Sequence, residues 1–217
     1  MKTVERLISE KLLSISAIIL QTDNPFTWAS GWNSPIYIDN RKTLSYPTIR
    51  NFIKVELCRT ILENFKDVDL VAGVATGAIA QGALVADELG LPYVYVRSTP
   101  KDHGLENLIE GTIKPGQRVV LVEDLVSTGL SSIKAVEAIR SAGGVVLGMV
   151  ALFTFDFPMC DVNMRKAKVK LLSLTNYNAM IDAALATNYI QESDVETLRQ
   201  WREDPESWST SRHMKDF

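Results

Sequence analysis

Residues 118–132, which read RVVLVEDLVSTGLSS, restrict the possible fold of this chain more than any other stretch. They begin with a short, mostly β-branched apolar run at 119–122, which predicts a strand buried on both faces of a parallel sheet. Glu123 and Asp124 follow this run, and the small turn 127–129 comes next. A buried strand that leads into a polar turn is typical of α/β proteins, in which strands and helices alternate.

The turn is predicted to lead into a helix that Ser131 or Ser132 caps and that ends near Gly143. A strand-to-helix turn of this kind presents backbone N–H groups, hydroxyls and a helix N-terminus to an anion. The adjacent acidic pair would repel phosphate unless it had another task, such as holding sugar hydroxyls and a Mg²⁺ ion bound to the same ligand. Two acids that simply face solvent at a strand end are the alternative interpretation.

A second small turn follows the strand predicted at residues 69–74. It consists of Ala75, Thr76, Gly77 and Ala78. The close approach of a backbone to an anion needs residues of this size. A tight turn that only packs the strand against the next helix explains the same residues equally well.

The loop after the strand predicted at residues 92–96 concentrates basic side chains. It contains Arg97, Lys101 and His103, and it ends in a polar, glycine-containing tail at 104–111. Such a loop fits a mobile lid that closes over a polyphosphate. A solvated charged loop is the alternative, because acidic residues are interspersed among the basic ones.

The length of 217 residues predicts one domain, long enough for a sheet with helices on both faces. We expect a hood at about 1–45, a core at about 46–175 and a C-terminal helical appendix at about 176–217. The predicted class is α/β with a mainly parallel sheet flanked by helices. The net charge of −3 argues against nucleic acid as a partner, and no apolar run has the length of a membrane span.

Periodicity and capping residues predict several local elements. Apolar residues between 7 and 19 recur at helical spacing, which indicates an amphipathic N-terminal helix. Ser45 is expected to cap a long helix whose first turn contains a proline. Residues 154–166 are predicted to form a loop, and residues 175–203 to form two helices.

The C-terminal tryptophans and the two cysteines are assigned structural roles. Trp201 and Trp208 are expected to anchor the C-terminal segment by packing. Cys58 and Cys160 lie far apart in the sequence, without a CxxC motif or a neighbouring histidine. This favours two reduced, packed cysteines in a cytoplasmic protein over a disulfide or a metal site.

The stretch EDLVSTGLSS after VVLV resembles the signature of type I phosphoribosyltransferases, which bind phosphoribosyl pyrophosphate (PRPP). The resemblance implies the fold of that family, with Glu123 and Asp124 holding the ribose hydroxyls. It also implies that residues 125–131, hereafter the phosphate loop, wrap the 5′-phosphate. The phosphate loop comprises Leu125, Val126, Ser127, Thr128, Gly129, Leu130 and Ser131, with Leu130 where the family usually has a second glycine. By the same resemblance, Ala75, Thr76, Gly77 and Ala78 correspond to the family's pyrophosphate loop.

Two further patterns resemble those of orotate phosphoribosyltransferases in particular. The hood carries SG-x-x-SP-x-Y-x-D-x-R between residues 26 and 41, and the lid carries R-x-x-x-K-x-H-G from residue 97. The resemblance implies transfer of the phosphoribosyl group of PRPP to N1 of orotate, which gives orotidine 5′-phosphate and pyrophosphate. It also implies Mg²⁺ as a cofactor, held mainly through PRPP and water.

The resemblance assigns roles to individual residues of this chain. The catalytic residues are Lys101, Arg97, His103 and Asp124, and all four of these also bind PRPP. Orotate is assigned to Tyr37 and Ile38 of the hood and to Ser127 through its backbone amide. A homodimer is implied, in which the lid reaches the neighbouring subunit. Cations that the family often uses are replaced by Ala29 and Phe155, so the group that holds the orotate carboxylate is not identified.

Two other functions are compatible with the PRPP signature. Purine-salvage phosphoribosyltransferases share it but differ in the hood and the lid, where SPIY and K-x-H-G favour orotate. A regulator that senses PRPP without catalysis could also retain the signature. Such a regulator is expected to carry a basic extension that binds nucleic acid, and no such stretch is visible in the sequence.

Overall fold

The computed structural model describes residues 2–27, 31, 33–99 and 108–208 of the chain. The chain divides into two compact units, which are described separately below. The first combines Met1–Thr43 with Asn178–Phe217, and the second comprises Leu44–Tyr177. The predicted arrangement of one domain with a hood, a core and an appendix stays a prediction.

The predicted sheet lies in the second unit, where the described residues form six strands. These are β5 (Leu70–Val74), β6 (Tyr93–Val96), β7 (Ile109–Glu110), β8 (Arg118–Val126), β9 (Val145–Thr154) and β10 (Leu171–Asn176). Their order across the sheet is β10-β9-β8-β5-β6-β7. Neighbouring strands are parallel except β6 and β7, which pair antiparallel. The predicted α/β class with a mainly parallel sheet is therefore confirmed.

The apolar runs of the sequence form the centre of this sheet. All of β5 is buried, and the part of β8 from Val119 to Val122 has no exposed surface. Strands that are covered on both faces need apolar side chains on both, which is why these runs are continuous instead of alternating. Each fully buried valine or leucine stabilises the fold by about 1.5–3 kcal/mol relative to its exposed state.

Helices of the second unit pack against the sheet. They are α2 (Pro47–Asn64), α3 (Ile79–Leu89), α4 (Leu130–Ser141) and α5 (Pro158–Lys166). Helix α2 contacts α3, β9 and β10. Residues of α4 and α5 form one hydrophobic cluster with the side chains of β5, β6, β8 and β9. The helices therefore supply the cover that a parallel sheet requires.

Two predicted helix caps are wrong. Tyr46, not Ser45, is the N-cap of α2, because Ser45 closes a 3₁₀ helix (Asn40–Ser45) that runs up to the cap. Gly129, not Ser131 or Ser132, is the N-cap of α4. Helix α2 starts one residue later than a cap at Ser45 implies, and α4 starts earlier than a cap at Ser131 or Ser132 implies. Cap chemistry therefore indicated that a helix begins but not at which residue.

The loop predicted at residues 154–166 is also wrong, because α5 occupies most of it. The helix has nine residues, of which only Cys160 and Met164 are buried. Two apolar contacts in a polar segment are too few to produce a recognisable helical period. Pro158 at the first helical position is the remaining signal in the sequence for a helix start.

The first unit contains the N-terminal and C-terminal elements. They are α1 (Val4–Ser14), β1 (Ile18–Leu20), β2 (Phe26–Thr27), β3 (Asn33–Ser34), β4 (Ile36–Ile38), the 3₁₀ helix up to Thr43, α6 (Tyr177–Ala186, apart from its first residue) and α7 (Glu192–Glu203). The two C-terminal helices are confirmed, and so is the amphipathic N-terminal helix up to Ser14. Its predicted continuation to residue 19 is wrong, because Ile18–Leu20 form β1. Trp201 has no exposed surface and donates its indole N–H to the carbonyl of Asn33 at 3.3 Å, and Trp208 is buried as well. The predicted packing role of both tryptophans is confirmed.

Cys58 and Cys160 are both free and buried, as predicted. Burial raises the pKa of each thiol to about 11, so both are neutral near pH 7. No helix within the described ranges combines the length and the apolar character that crossing a membrane requires.

Candidate active site

Strands β5 and β8 lie side by side, and the chain leaves them toward opposite edges of the sheet. β5 leads through α3 to β6 on one side, whereas β8 leads through α4 to β9 on the other. Open α/β sheets bind ligands in the crevice at the carboxyl ends of two such strands. The turn 75–78 follows β5 and the phosphate loop closes β8, so both predicted anion-binding segments meet at this crevice.

The two acids at the end of β8 have different surroundings. Glu123 is only 5% exposed, whereas Asp124 is partly exposed. One carboxylate oxygen of Glu123 accepts the backbone N–H of Asp124 at 3.1 Å, and the other accepts the hydroxyl of Ser132 at 2.9 Å. Burial and the neighbouring Asp124 carboxylate raise the pKa of Glu123 well above its usual range. Glu123 is therefore hydrogen-bonded to the backbone of Asp124 and to the first turn of α4.

The 75–78 turn touches Asp124 directly. A Cβ atom added at Gly77 would overlap the carboxylate of Asp124. The Ala75–Thr76 peptide bond is cis, and Thr76 is exposed while Ala78 is buried. A Cβ atom at position 77 would force the turn or the Asp124 carboxylate to move, because the backbone of the turn passes against this carboxylate on the adjacent strand. The sequence predicted that this turn is small, and the structure identifies the group that requires it.

The phosphate loop turns directly into α4. Gly129 has a φ of 81°, in the left-handed region that favours glycine, and α4 begins at Leu130. The first N–H groups of a helix have no carbonyl partner within the helix and carry its positive end. Leu130 is 56% exposed and Ser131 is also exposed, so this end of the helix is open. The loop can thus present N–H groups to an anion, and its predicted role in binding phosphate stays a prediction.

Sequence reasoning missed the helix that lies against the phosphate loop. Asn163 of α5 donates its side-chain N–H to the carbonyl oxygen of Thr128 at 2.9 Å. Met164 and Cys160 of the same helix lie next to Gly129. The loop predicted at residues 154–166 gives no reason to expect a contact from this segment.

Arg97 lies at the same edge of the sheet, directly after β6. Its backbone N–H donates to the carbonyl of Leu108 at 2.7 Å, and its guanidinium is 3.7 Å from the carboxylate of Glu110. The two ends of the lid are therefore held together by the pairing of β6 with β7. Lys101 and His103 lie outside the described residues, so their predicted roles stay predictions.

Two of the residues assigned to orotate, Tyr37 and Ile38, lie in the first unit, and Ser127 lies in the second, directly after β8. Tyr37 and Ile38 lie on β4 of the first unit, and the Tyr37 ring is 5.4 Å from that of Phe26. Ala29 lies outside the described residues. Phe155, in the second unit, is 1% exposed and packs between the rings of Phe153 and Phe157, at 5.3 and 5.4 Å. The position after β9 is thus filled by an aromatic stack.

The described residues hold no group of three or more His, Cys, Asp or Glu side chains arranged to bind a metal ion. The oxygen donors at the crevice are the carboxylates of Glu123 and Asp124, and both oxygens of Glu123 already accept hydrogen bonds. Mg²⁺ keeps several waters and is usually bound by one or two carboxylates together with substrate phosphates. Asp124 beside a bound diphosphate fits this pattern, whereas a cage made of protein groups alone does not.

Comparisons of sequence and structure relate this chain to known proteins. A family model described as a phosphoribosyl transferase domain matches residues 53–186. An orotate phosphoribosyltransferase of Bacteroides thetaiotaomicron is 64% identical over 212 residues, which are 98% of this chain and 100% of the relative. The solved structure of Leishmania donovani UMP synthase is similar with a TM-score of 0.78 at 27% identity, over 92% of this chain and 42% of that one. The orotate phosphoribosyltransferase of Aeropyrum pernix gives a TM-score of 0.69 at 26% identity, over 81% and 97% of the two chains.

Substitution of Gly77 by alanine is expected to damage the crevice, because the added methyl group displaces either the turn or the Asp124 carboxylate. We expect the dissociation constant for PRPP, measured by calorimetry, to rise at least about tenfold, or about 1.4 kcal/mol. Thermal unfolding of the same sample separates this effect from loss of the fold. Binding of PRPP with unchanged affinity by a folded Gly77→Ala variant would contradict the role assigned to the close contact.

Replacement of Glu123 by glutamine is expected to make stability less dependent on pH. Because the folded state raises the pKa of Glu123 above 4.5, its contribution is fully present below that value and is lost as pH rises through the folded-state pKa. Glutamine does not ionise, so the free energy of unfolding of Glu123→Gln should increase relative to the unmodified protein as pH rises.

Denaturant unfolding at several pH values above and below 4.5 measures this difference. Ser132→Ala provides a second variant, because the Ser132 hydroxyl lowers the pKa of Glu123 and its loss should extend the pH dependence upward. If the free energy of unfolding changes with pH in the same way for the unmodified protein and for Glu123→Gln, Glu123 does not titrate as described.

Proposed function

Because this chain belongs to the phosphoribosyltransferase family, and within it to the orotate phosphoribosyltransferases, we propose that it transfers the phosphoribosyl group of PRPP to N1 of orotate. The products are orotidine 5′-phosphate and pyrophosphate, which places the reaction in the biosynthesis of pyrimidine nucleotides. The observation that carries the proposal is the contact between Gly77 of the 75–78 turn and Asp124 at the crevice between β5 and β8. In this contact the turn proposed to bind pyrophosphate meets the carboxylate proposed to bind the ribose.

The reaction requires little covalent help from the protein. N1 of orotate displaces pyrophosphate at C1 of the ribose, and positive charge develops on the ring as the bond to the leaving group loosens. Positioning of the two substrates and stabilisation of this charge therefore account for most of the catalysis. Asp124 is partly exposed beside the turn, so it can accept hydrogen bonds from ribose hydroxyls and place negative charge near the ring.

The 5′-phosphate is assigned to the phosphate loop. The N-terminus of α4 and the N–H groups of the loop provide hydrogen-bond donors for an anion. Glu123 lies under the loop with its carboxylate bonded to Ser132 and to the backbone of Asp124. These two donors stabilise the carboxylate, whereas burial and the neighbouring Asp124 raise its pKa above the usual range.

The leaving pyrophosphate is assigned to the 75–78 turn and to the lid. Arg97 anchors the start of the lid at the carboxyl end of β6. Lys101 and His103 are the further cations that the sequence supplies to neutralise the diphosphate. Closure of the lid would exclude water, which competes with orotate for C1 of the ribose.

A magnesium ion is proposed as the cofactor, bound mainly through PRPP oxygens and water with Asp124 as the fitting protein group. When bound, Mg²⁺ neutralises charge on the diphosphate and so makes it a better leaving group. We also propose a homodimer in which the lid is shared between subunits, as the family resemblance implies. A cytoplasmic location is supported by two buried cysteines that are not paired with each other.

Orotate is favoured as the acceptor over purine bases by the hood and the lid. The SPIY segment overlaps β4, whose Tyr37 is 37% exposed and packs on Phe26. An aromatic side chain that is half open to solvent can cover a flat pyrimidine ring. Because Phe155 is packed in the core, the orotate carboxylate must be bound by other cations or by backbone amides.

The proposed activity is tested by the loss of orotate absorbance in the presence of PRPP and Mg²⁺. Turnover with orotate but not with hypoxanthine, adenine or uracil is the expected result. Turnover with a purine would identify a salvage enzyme. PRPP binding without turnover of any base would identify a regulator that has lost catalysis.

Replacement of Lys101 by alanine is expected to lower kcat by about 10²-fold or more, because a cation on the leaving group acts in the transition state. Thermal unfolding should be unchanged, since a lid residue contributes little to the core. Lys114→Ala, at an exposed lysine outside the lid, is the matched control and should turn over normally. Near-normal turnover by Lys101→Ala would remove this lysine from the mechanism.

A further inference from the structure

The phosphate loop contains a peptide bond whose orientation decides where an N–H group points. The Thr128–Gly129 peptide is trans, so the carbonyl of Thr128 and the N–H of Gly129 lie in one plane and point in opposite directions. The carbonyl accepts the side-chain N–H of Asn163 at 2.9 Å. The Gly129 N–H is therefore directed away from α5.

Gly129 cannot fix this orientation by itself. It has a φ of 81°, which only glycine adopts at little cost, but glycine adopts negative φ values about as readily. The peptide before such a residue can therefore rotate and exchange the positions of its carbonyl and N–H groups. A carbonyl turned toward a phosphate would repel it, so a contact from outside the loop is needed to hold the binding orientation.

Helix α5 packs against the phosphate loop at Gly129. A Cβ atom at Gly129 would lie 2.9 Å from Cε of Met164 and 3.5 Å from Sγ of Cys160. Both side chains are buried in the hydrophobic cluster that joins α5 to α4 and the sheet. The helix starts at Pro158, after Phe157, whose ring stacks on Phe155 at 5.4 Å. Asn163 thus lies on a helix that is packed against α4 and the sheet, although the residue itself is only partly buried.

We propose that Asn163 is a positioning residue for the 5′-phosphate of PRPP, which acts through the Thr128 carbonyl. It does not contact the substrate; it holds the Thr128–Gly129 peptide so that the Gly129 N–H faces the phosphate. The proposal rests on the proposed function, since it concerns the phosphate end of the same site. The ligand class that it affects is a sugar 5-phosphate, and the pyrophosphate end of the site should not depend on it.

Asn163→Asp is the sharpest variant, because it has almost the same shape but presents a carboxylate oxygen in place of the N–H donor. The dissociation constants for ribose 5-phosphate and PRPP, measured by calorimetry, should each rise about tenfold. The affinity for pyrophosphate should stay within about twofold, since its site lies at the 75–78 turn. In steady-state kinetics KM for PRPP should rise about tenfold while KM for orotate stays unchanged.

Two further variants separate positioning from loss of structure. Asn163→Gln retains an amide donor and should recover part of the affinity for ribose 5-phosphate. Val162→Ala changes the adjacent, 41% exposed residue of the same helix and should bind all three ligands normally. Thermal unfolding of each variant shows whether α5 and the sheet are intact.

Three results would overturn the inference. In the first, Asn163→Asp binds ribose 5-phosphate as tightly as the unmodified protein does. In the second, its affinities for ribose 5-phosphate and for pyrophosphate fall equally. In the third, its loss of affinity accompanies a fall in thermal stability that Val162→Ala shares. Failure of the proposed function is distinguishable, because the unmodified protein would then neither bind PRPP nor consume orotate.

Discussion

The pairing of β5 with β8 is the constraint on which the candidate site depends. The two strands run parallel and in register from Leu70 opposite Val119 to Gly73 opposite Val122. Because that register fixes where each strand ends, it also fixes that the 75–78 turn meets Asp124. A side chain at position 77 cannot be accommodated without breaking this arrangement. The apolar runs that build the centre of the sheet therefore also determine the spacing of the polar groups at its edge.

The site must bind a strongly anionic substrate next to two adjacent carboxylates. The structure treats the two acids differently. Glu123 is buried, accepts two hydrogen bonds from its own chain and has a raised pKa, so it contributes less negative charge to the crevice than an exposed acid would. Asp124 is left partly exposed beside the turn. Glu123 thus supports the first turn of α4, whereas Asp124 lies at the surface of the crevice next to Gly77.

Much of the sheet could be predicted from the sequence, because continuous apolar runs such as Val119 to Val122 are incompatible with an exposed position. The positions of both predicted anion-binding segments followed from the strand ends. Helix α5 could not be predicted, since its two buried residues, Cys160 and Met164, give no periodic pattern. The contact of Gly77 with Asp124 and that of Ser132 with Glu123 join residues whose neighbourhood exists only in the folded chain. A sequence lists the donors and acceptors, but the register of strands and the tilt of helices decide which of them meet.

The phosphate loop shows how backbone freedom and rigidity are combined in this protein. Close contact with Met164 and Cys160 and a φ of 81° require glycine at position 129, and glycine leaves the preceding peptide free to rotate. A loop that samples two orientations binds its ligand more weakly, because the binding-competent fraction is reduced before any contact is made. A hydrogen bond from Asn163 on the adjacent helix removes that freedom without placing a side chain in the path of the phosphate. The conformational permissiveness of the loop and the packing of α5 are therefore complementary in the proposed anion site.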